Sequence, residues 1–115
     1  MSINLKNKIY VISAAGDGIG FEISKKIINA GGKVFLSDID PKKIEKIIKN
    51  KKYKNKIFAE CFDCTNPIEV KNYFKKINIK KRIDGLINNI GIAGPTKYIE
   101  NINVNEWQNT INTNL

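Results

Sequence analysis

Apolar residues along this chain fall into two alternating patterns. Four short runs are rich in β-branched and aromatic residues: Lys8–Ser13 (KIYVIS), Lys33–Asp38 (KVFLSD), Lys56–Cys61 (KIFAEC) and Ile83–Asn89 (IDGLINN). Such runs predict strands, and the first suits a strand buried on both faces. Between them the spacing becomes helical. Ile19, Ile23 and Ile27 recur every four residues, with Glu22, Lys25, Lys26 and Asn29 on the opposite face, so an amphipathic helix is predicted there. Gly31 and Gly32 then end it. Asp40-Pro41 supplies a cap followed by Pro at the first helical position. The stripe of that second helix is Ile44, Ile47 and Ile48, with Lys42, Lys43, Lys46 and Lys49 turned outward. Asn66-Pro67-Ile68-Glu69 resembles a capping box, and Val70, Phe74 and Ile77 continue its apolar face. Asn103-Val104-Asn105-Glu106 offers a fourth helix start, from which Val104, Trp107, Ile111 and Leu115 share one face.

Strand and helix therefore alternate four times with short links. That order predicts an α/β fold, a doubly wound parallel sheet with helices on both faces and right-handed crossovers. The expected strand order is 3-2-1-4. Residues 1–115 read as one domain, without linker or tandem repeat. The last residues, Asn109–Leu115, read as the middle of a helix: no Gly or Pro closes it and no basic residue suits its last carbonyls. The sequence thus predicts a fold cut within the helix after the fourth strand.

Composition narrows the function classes. Hydrophobic content of 42% and charged content of 27% are those of a globular protein, not a disordered one. The formal charge is +9, from 20 basic and 11 acidic residues, and Arg82 is the only Arg. Two basic clusters, Lys49–Lys56 and Lys75–Arg82, raise the alternative of a nucleic-acid patch. Phosphate and base recognition draws heavily on Arg, so solvated faces are the expected reading and no nucleic-acid partner is expected. The chain has no His. That removes Ser-His-Asp and Cys-His mechanisms and most zinc sites. Cys61 and Cys64 have C-x-x-C spacing, but no second pair completes a metal site, and two reduced thiols of a cytoplasmic protein fit better. The N-terminal apolar run is too short for a membrane span and lacks a cleavage site, so neither a signal peptide nor a membrane partner is expected.

Chemistry concentrates in the first turn. Ser13-Ala14-Ala15-Gly16-Asp17-Gly18-Ile19-Gly20 lies between a strand and a helix. Such a turn aims backbone N–H groups and the positive end of a helix at a pyrophosphate, with glycines where a Cβ would hold the phosphate away. The G-x-G-x-x-G pattern itself fails, since Phe21 occupies its third place. Asp38 ends the second strand, 18 positions after Gly20. A carboxylate there can accept hydrogen bonds from adenosine ribose hydroxyls and repel a 2′-phosphate. Ile39, Asp40 and Pro41 follow, so no Arg or Lys comes closely enough to offset it, and NAD is favoured over NADP. A plain structural turn, capped by Asp38, is the alternative.

Taken together, the sequence resembles the short-chain dehydrogenase/reductase family, a Rossmann-like fold. The family's T-G-x-x-x-G-x-G turn is matched by Ser13 to Gly20. Its Asp after the third strand is matched by Asp63, with Cys64 where the adenine contact lies. Its N-N-A-G after the fourth strand is matched by Asn88-Asn89-Ile90-Gly91, and its helix Asn by Asn114, followed by Leu115. The resemblance implies a nicotinamide cofactor held by Ser13, Ala14, Gly16, Asp17, Gly18, Ile19, Gly20, Asp38, Asp63, Cys64, Asn89 and Gly91. It implies hydride transfer with a small alcohol or carbonyl, Asn114 holding a water of the proton relay, and is compatible with a homo-oligomer formed through the last helix. Two departures bear on the pocket. Ala14 replaces the first Gly of the turn, which requires a negative φ there, and Ile90 replaces a small Ala. A larger departure bears on catalysis. The family's Tyr and Lys sit as Y-x-x-x-K, yet Tyr10, Tyr53, Tyr73 and Tyr98 are followed at that spacing by Ala14, Ile57, Ile77 and Ile102. The expectation is an oxidoreductase-related cofactor-binding half that is inactive alone. The alternative is a non-catalytic dinucleotide-binding or interaction module.

Overall fold

The computed structural model describes residues 3–77, 82–90 and Asn105. Of the predicted fourth helix only Asn105 is among them, and it is helical; Asn114 and the loop carrying Gly91 lie outside them.

Four strands form one parallel sheet: β1 (Ile9–Ile12), β2 (Lys33–Asp38), β3 (Ile57–Cys61) and β4 (Gly85–Ile87). Their order is β3-β2-β1-β4, as the alternation predicts. Val11 pairs with both Phe35 and Leu86, and Asp38 pairs with Cys61 at the carboxyl ends of β2 and β3. Reversal of strand order at β1 places a crevice beyond the carboxyl ends of the strands, where open α/β sheets bind ligands.

Between the strands, the described residues form three crossover helices: α1 (Gly18–Asn29), α2 (Pro41–Lys49) and α3 (Pro67–Ile77). A single 3₁₀ turn, Lys51–Tyr53, follows α2. Capping works at α2 as the sequence suggests, Asp40 Oδ1 accepting from the Lys42 N–H at 2.9 Å. At α3, Asn66 Oδ1 accepts from the Ile68 and Glu69 N–H groups.

Apolar burial divides between the two faces. On one, Ile12, Val34, Leu36 and Ile57 of the sheet pack with Ile27 of α1 and Ile44 and Ile47 of α2. On the other, Val11 and Phe35 pack with Tyr73 of α3, flanked by Phe58, Phe62 and Phe74. The two faces of β1 and β2 are both covered, which is why these strands read as continuous apolar runs.

Three readings of the helices need correction. Ile19 is 73% exposed and Ile48 is 65% exposed, so neither joins its core stripe. The buried face of α1 is Gly20, Ser24 and Ile27. A Cβ on Gly20 would lie 2.9 Å from Ala15 Cα, so the helix sits too close to the preceding turn for a larger residue. On α3, Phe74 and Ile77 of the expected face do pack against the core, but the buried residue is Tyr73, which that stripe leaves out.

Candidate functional site

The turn from β1 into α1 is built by hydrogen bonds to three neighbouring segments. The Ser13 N–H donates to Ile87 O at 3.1 Å, and the Ala15 N–H to Ser37 O at 2.9 Å. The Gly16 N–H donates to Asp38 Oδ2 at 2.9 Å. From the β4 side, the Asn89 N–H donates to Ser13 Oγ at 3.0 Å and its side-chain Nδ2 to Ala14 O at 3.0 Å. Ser13 Oγ in turn donates to Asn88 Oδ1 at 3.2 Å. Asn89 thus fixes the turn from one side and Asp38 from the other.

The three glycines have separate reasons. A Cβ on Gly16 would meet Asp38 Oδ2 at 2.7 Å and Lys43 Cβ at 2.9 Å. One on Gly20 would meet Asn89 Nδ2 at 2.6 Å. Gly18 has φ of +60°, and a Cβ there would meet nothing within 4 Å. The space over Gly18 is therefore open, at the first residue of α1. Ala14 departs from expectation: its φ is 51°, not negative. The left-handed region costs an L-residue about 1–2 kcal/mol, and the bonds from Asn89 to Ala14 O and from Ala15 to Ser37 O hold it there.

Beside this turn lies a cleft of about 710 Å³. It is lined by Ala14, Asp17, Gly18 and Ile19 from the turn, Asp38 and Ile39 after β2, Lys43 of α2, Phe62 to Thr65 after β3, and Asn89 and Ile90 after β4. Most of the residues expected to hold a cofactor are thus brought together. Ser13, Gly16 and Gly20 do not line it, while Gly91 falls outside the described residues. A larger groove of about 990 Å³ runs along α1 past Ile3, Leu5 and Ile23. Its lining is mostly apolar, and the convergent polar groups belong to the smaller cleft.

Asp38 is 7% exposed. Its Oδ2 accepts from Gly16 and its Oδ1 from the Asp40 N–H at 3.0 Å. Each carboxylate oxygen keeps a second acceptor site. Asp63 is held below the usual carboxylate range, first by the hydrogen bond from the Thr65 hydroxyl and then by that from the Thr65 N–H. Cys64 Sγ lies 3.1 Å from Ser37 Oγ, whereas Cys61 Sγ points to Ile39 O at 3.5 Å. Both thiols are free and they have different partners. Among the described residues, no three His, Cys, Asp or Glu side chains form a group able to hold a metal.

Asp17 stands at the N-cap of α1 without capping it. Its Oδ2 pairs instead with Lys43 Nζ at 3.0 Å. This corrects the reading that no Lys approaches Asp38: a basic residue two positions into α2 is carried back over the turn. The bond to Asp17 raises the Lys43 pKa, and the charges of Asp17, Asp38 and Asp40 act in the same direction.

Sequence reasoning missed Asp84. Its Oδ2 accepts from the Ile9 N–H at 2.9 Å and its Oδ1 from Arg82 Nε at 2.9 Å, while its own N–H donates to Ile9 O at 2.8 Å. It therefore clamps β4 to β1 from below the cleft. A lone Asp ahead of a strand carries no local signal for a partner 75 residues away.

Comparisons with known proteins agree with this fold. Residues 8–115 match a family model described as short chain dehydrogenase. An uncharacterised oxidoreductase of Staphylococcus saprophyticus is 33% identical over 113 residues, covering 97% of this chain and 45% of its own length. Salutaridine reductase of Papaver somniferum is 34% identical over 101 residues, covering 77% of this chain and 30% of its own. Among solved structures, 2-keto-3-deoxy-D-gluconate dehydrogenase from Streptococcus agalactiae superposes with a TM-score of 0.79 at 27% identity, over 99% of this chain and 43% of its own. A short-chain type dehydrogenase/reductase from Mycobacterium ulcerans gives 0.84 at 19% identity, a likeness of fold. The chain spans less than half the length of each of these relatives.

Proposed function

The chain belongs to the short-chain dehydrogenase family, whose members use nicotinamide cofactors on small molecules, and from that premise we propose that it forms an NAD-binding site. The observation that carries this reading is the anchored turn: Asp38, nearly buried and lining the cleft, accepts from the Gly16 N–H, and the start of α1 beside it has no side-chain cap. The residues fit the group. Open space at Gly18 and free N–H groups in the first turn of α1 suit a pyrophosphate. The remaining acceptor sites of Asp38 suit the adenosine ribose hydroxyls, and Asp63, Cys64 and Ile39 would flank the adenine. Asn89 holds the turn in place through Ala14 O.

Bound there, a nicotinamide cofactor would supply hydride transfer to or from an alcohol or carbonyl. The residues described here bind and orient; none supplies the Y-x-x-x-K proton donor pair, which the sequence lacks. We assign Asn114 the relay role that the family resemblance implies. The 115 residues alone are expected to show no turnover, since general acid–base work is worth about 10²–10⁴-fold.

NAD is favoured because Asp17, Asp38 and Asp63 all line the cleft and Lys43, its one lining cation among the described residues, is already paired. A 2′-phosphate would add ~1.5–2 negative charges beside them. Calorimetric titration of the chain should give tighter binding for NAD than for NADP. Asp38→Ala should weaken NAD and narrow the gap. Equal affinity of the unmodified protein for both nucleotides would remove Asp38 from the role given to it.

A further inference from the structure

We propose that Asp17 acts as a positioning residue that keeps Lys43 away from the 2′ side of the adenosine ribose, so that the Asp17–Lys43 pair, together with Asp38, sets the choice of cofactor. This rests on the nucleotide-binding reading above and assigns its selectivity to a pair that no sequence motif marks.

Three observations converge. An Asp at an N-cap ordinarily accepts from the N–H groups of its own helix; Asp17 makes no such bond and reaches across to Lys43 Nζ at 3.0 Å. The Lys43 stem and the Asp38 carboxylate flank the same residue, since a Cβ on Gly16 would meet both within 2.9 Å. Asp17, Asp38 and Lys43 all line the one cleft. Lys43 is thus the cation beside the carboxylate that would hold the ribose, and Asp17 is its competing anion. With Asp17 in place, a 2′-phosphate must displace a formed ion pair and also approach Asp17 itself. With Asp17 neutral, the ammonium is free to turn to the phosphate, and one repelling charge is gone.

The pair is partly solvated, with side-chain exposures of 39% for Lys43 and 67% for Asp17. Substitution of Asp17 therefore leaves the core untouched, and the gain is modest. Asp17→Asn should raise the ratio of NADP to NAD affinity roughly three- to tenfold, the range for a partly exposed pair plus one relieved repulsion. Asp17→Glu should keep the unmodified ratio, because it keeps the pairing charge. Adding Lys43→Met to Asp17→Asn should abolish most of the gain.

The test is titration of both nucleotides into the full chain and these three variants, with circular dichroism to confirm that each is folded. A ratio in Asp17→Asn within about twofold of the unmodified value, while NAD still binds, overturns this inference and leaves the nucleotide reading standing. A gain that survives Lys43→Met also overturns it, since the effect would then be loss of repulsion alone. Failure of the unmodified chain to bind either nucleotide overturns the nucleotide reading and this inference together.

Discussion

At the scale of single residues, Ala14 carries the strain of the site. Its φ of 51° is a conformation that a Gly adopts without cost, and here a Cβ occupies it. Two hydrogen bonds hold the segment, from Asn89 Nδ2 to Ala14 O and from the Ala15 N–H to Ser37 O. Ala14→Gly removes a left-handed penalty of about 1–2 kcal/mol and adds a backbone entropy cost of about 0.5–1 kcal/mol. The net expectation is a stabilisation of about 0.5–1 kcal/mol, read as a higher denaturant midpoint at unchanged slope. An unchanged or lower midpoint would show that the turn accommodates Ala14 without strain. The sequence marks Ala14 as a departure from the family pattern, but not its φ. The backbone is set by Asn89, Ser37 and Asp38, all distant in sequence. The same reason hides Lys43. Its neighbours on α2 predict an outward lysine, and only the crossover shows that outward from α2 is toward Asp17.

At the scale of elements, legibility follows how local the determinants are. β2 is recovered residue for residue as Lys33–Asp38, because it is central and apolar on both faces. The start of α2 is legible because Asp40 caps it through its own Lys42 N–H. β4 is shorter than its apolar run: Gly85–Ile87 pair with β1, while Asn88 and Asn89 turn their polar groups to the first loop. α1 is misread because its buried face rests on small residues, Gly20 and Ser24, which hydropathy spacing passes over in favour of Ile19. Ser24 can be wholly buried there since its hydroxyl donates to Gly20 O at 2.9 Å. α3 presents the opposite case. Tyr73 is buried between Phe62 and Phe74, with its ring 4.5 Å from that of Phe62. Its hydroxyl is buried without a hydrogen-bond partner. Burial pushes this phenol well above its ordinary pKa, so it stays neutral. An unpartnered buried hydroxyl costs about 1–3 kcal/mol, and the ring packing needs only the apolar part. Tyr73→Phe is therefore expected to raise the thermal midpoint, with about 1 kcal/mol of added stability. A fall in that midpoint would mean that the hydroxyl contributes a bond worth more than its burial.

At the scale of the whole molecule, charge balance governs how stability depends on pH and salt. The net charge of +9 makes the native chain self-repelling at neutral pH. Two carboxylates oppose this by being better held folded than unfolded. Asp84 is held below the usual range chiefly by the Ile9 N–H, with Arg82 acting in the same direction, and Asp63 chiefly by Thr65. A depressed folded pKa contributes stability that is present above the unfolded value, near 3.8 for these groups, and that is lost as pH falls through the folded value. Protonation on that descent also raises the positive charge, so the two effects add on the acid side. Acid should therefore unfold the chain, mostly below about pH 4. Asp84→Asn should shift that transition because it removes the ionised acceptor joining the starts of β1 and β4, while the amide still offers one oxygen to Ile9. Exposed charges are screened over ~8–10 Å at physiological salt. At pH 7, raising salt from ~0.01 to ~0.15 M should thus increase stability, since the surplus of like charge outweighs the exposed pairs Lys49–Glu45 and Lys76–Glu60. Denaturant melts at the two salt concentrations, and acid titrations of the unmodified chain and Asp84→Asn followed by circular dichroism, measure both effects. Stability that falls with added salt at pH 7 would show that attractive pairs dominate over the net charge. An acid midpoint that does not move in Asp84→Asn would show that the β1–β4 clamp rests on the backbone bond from Asp84 N to Ile9 O alone.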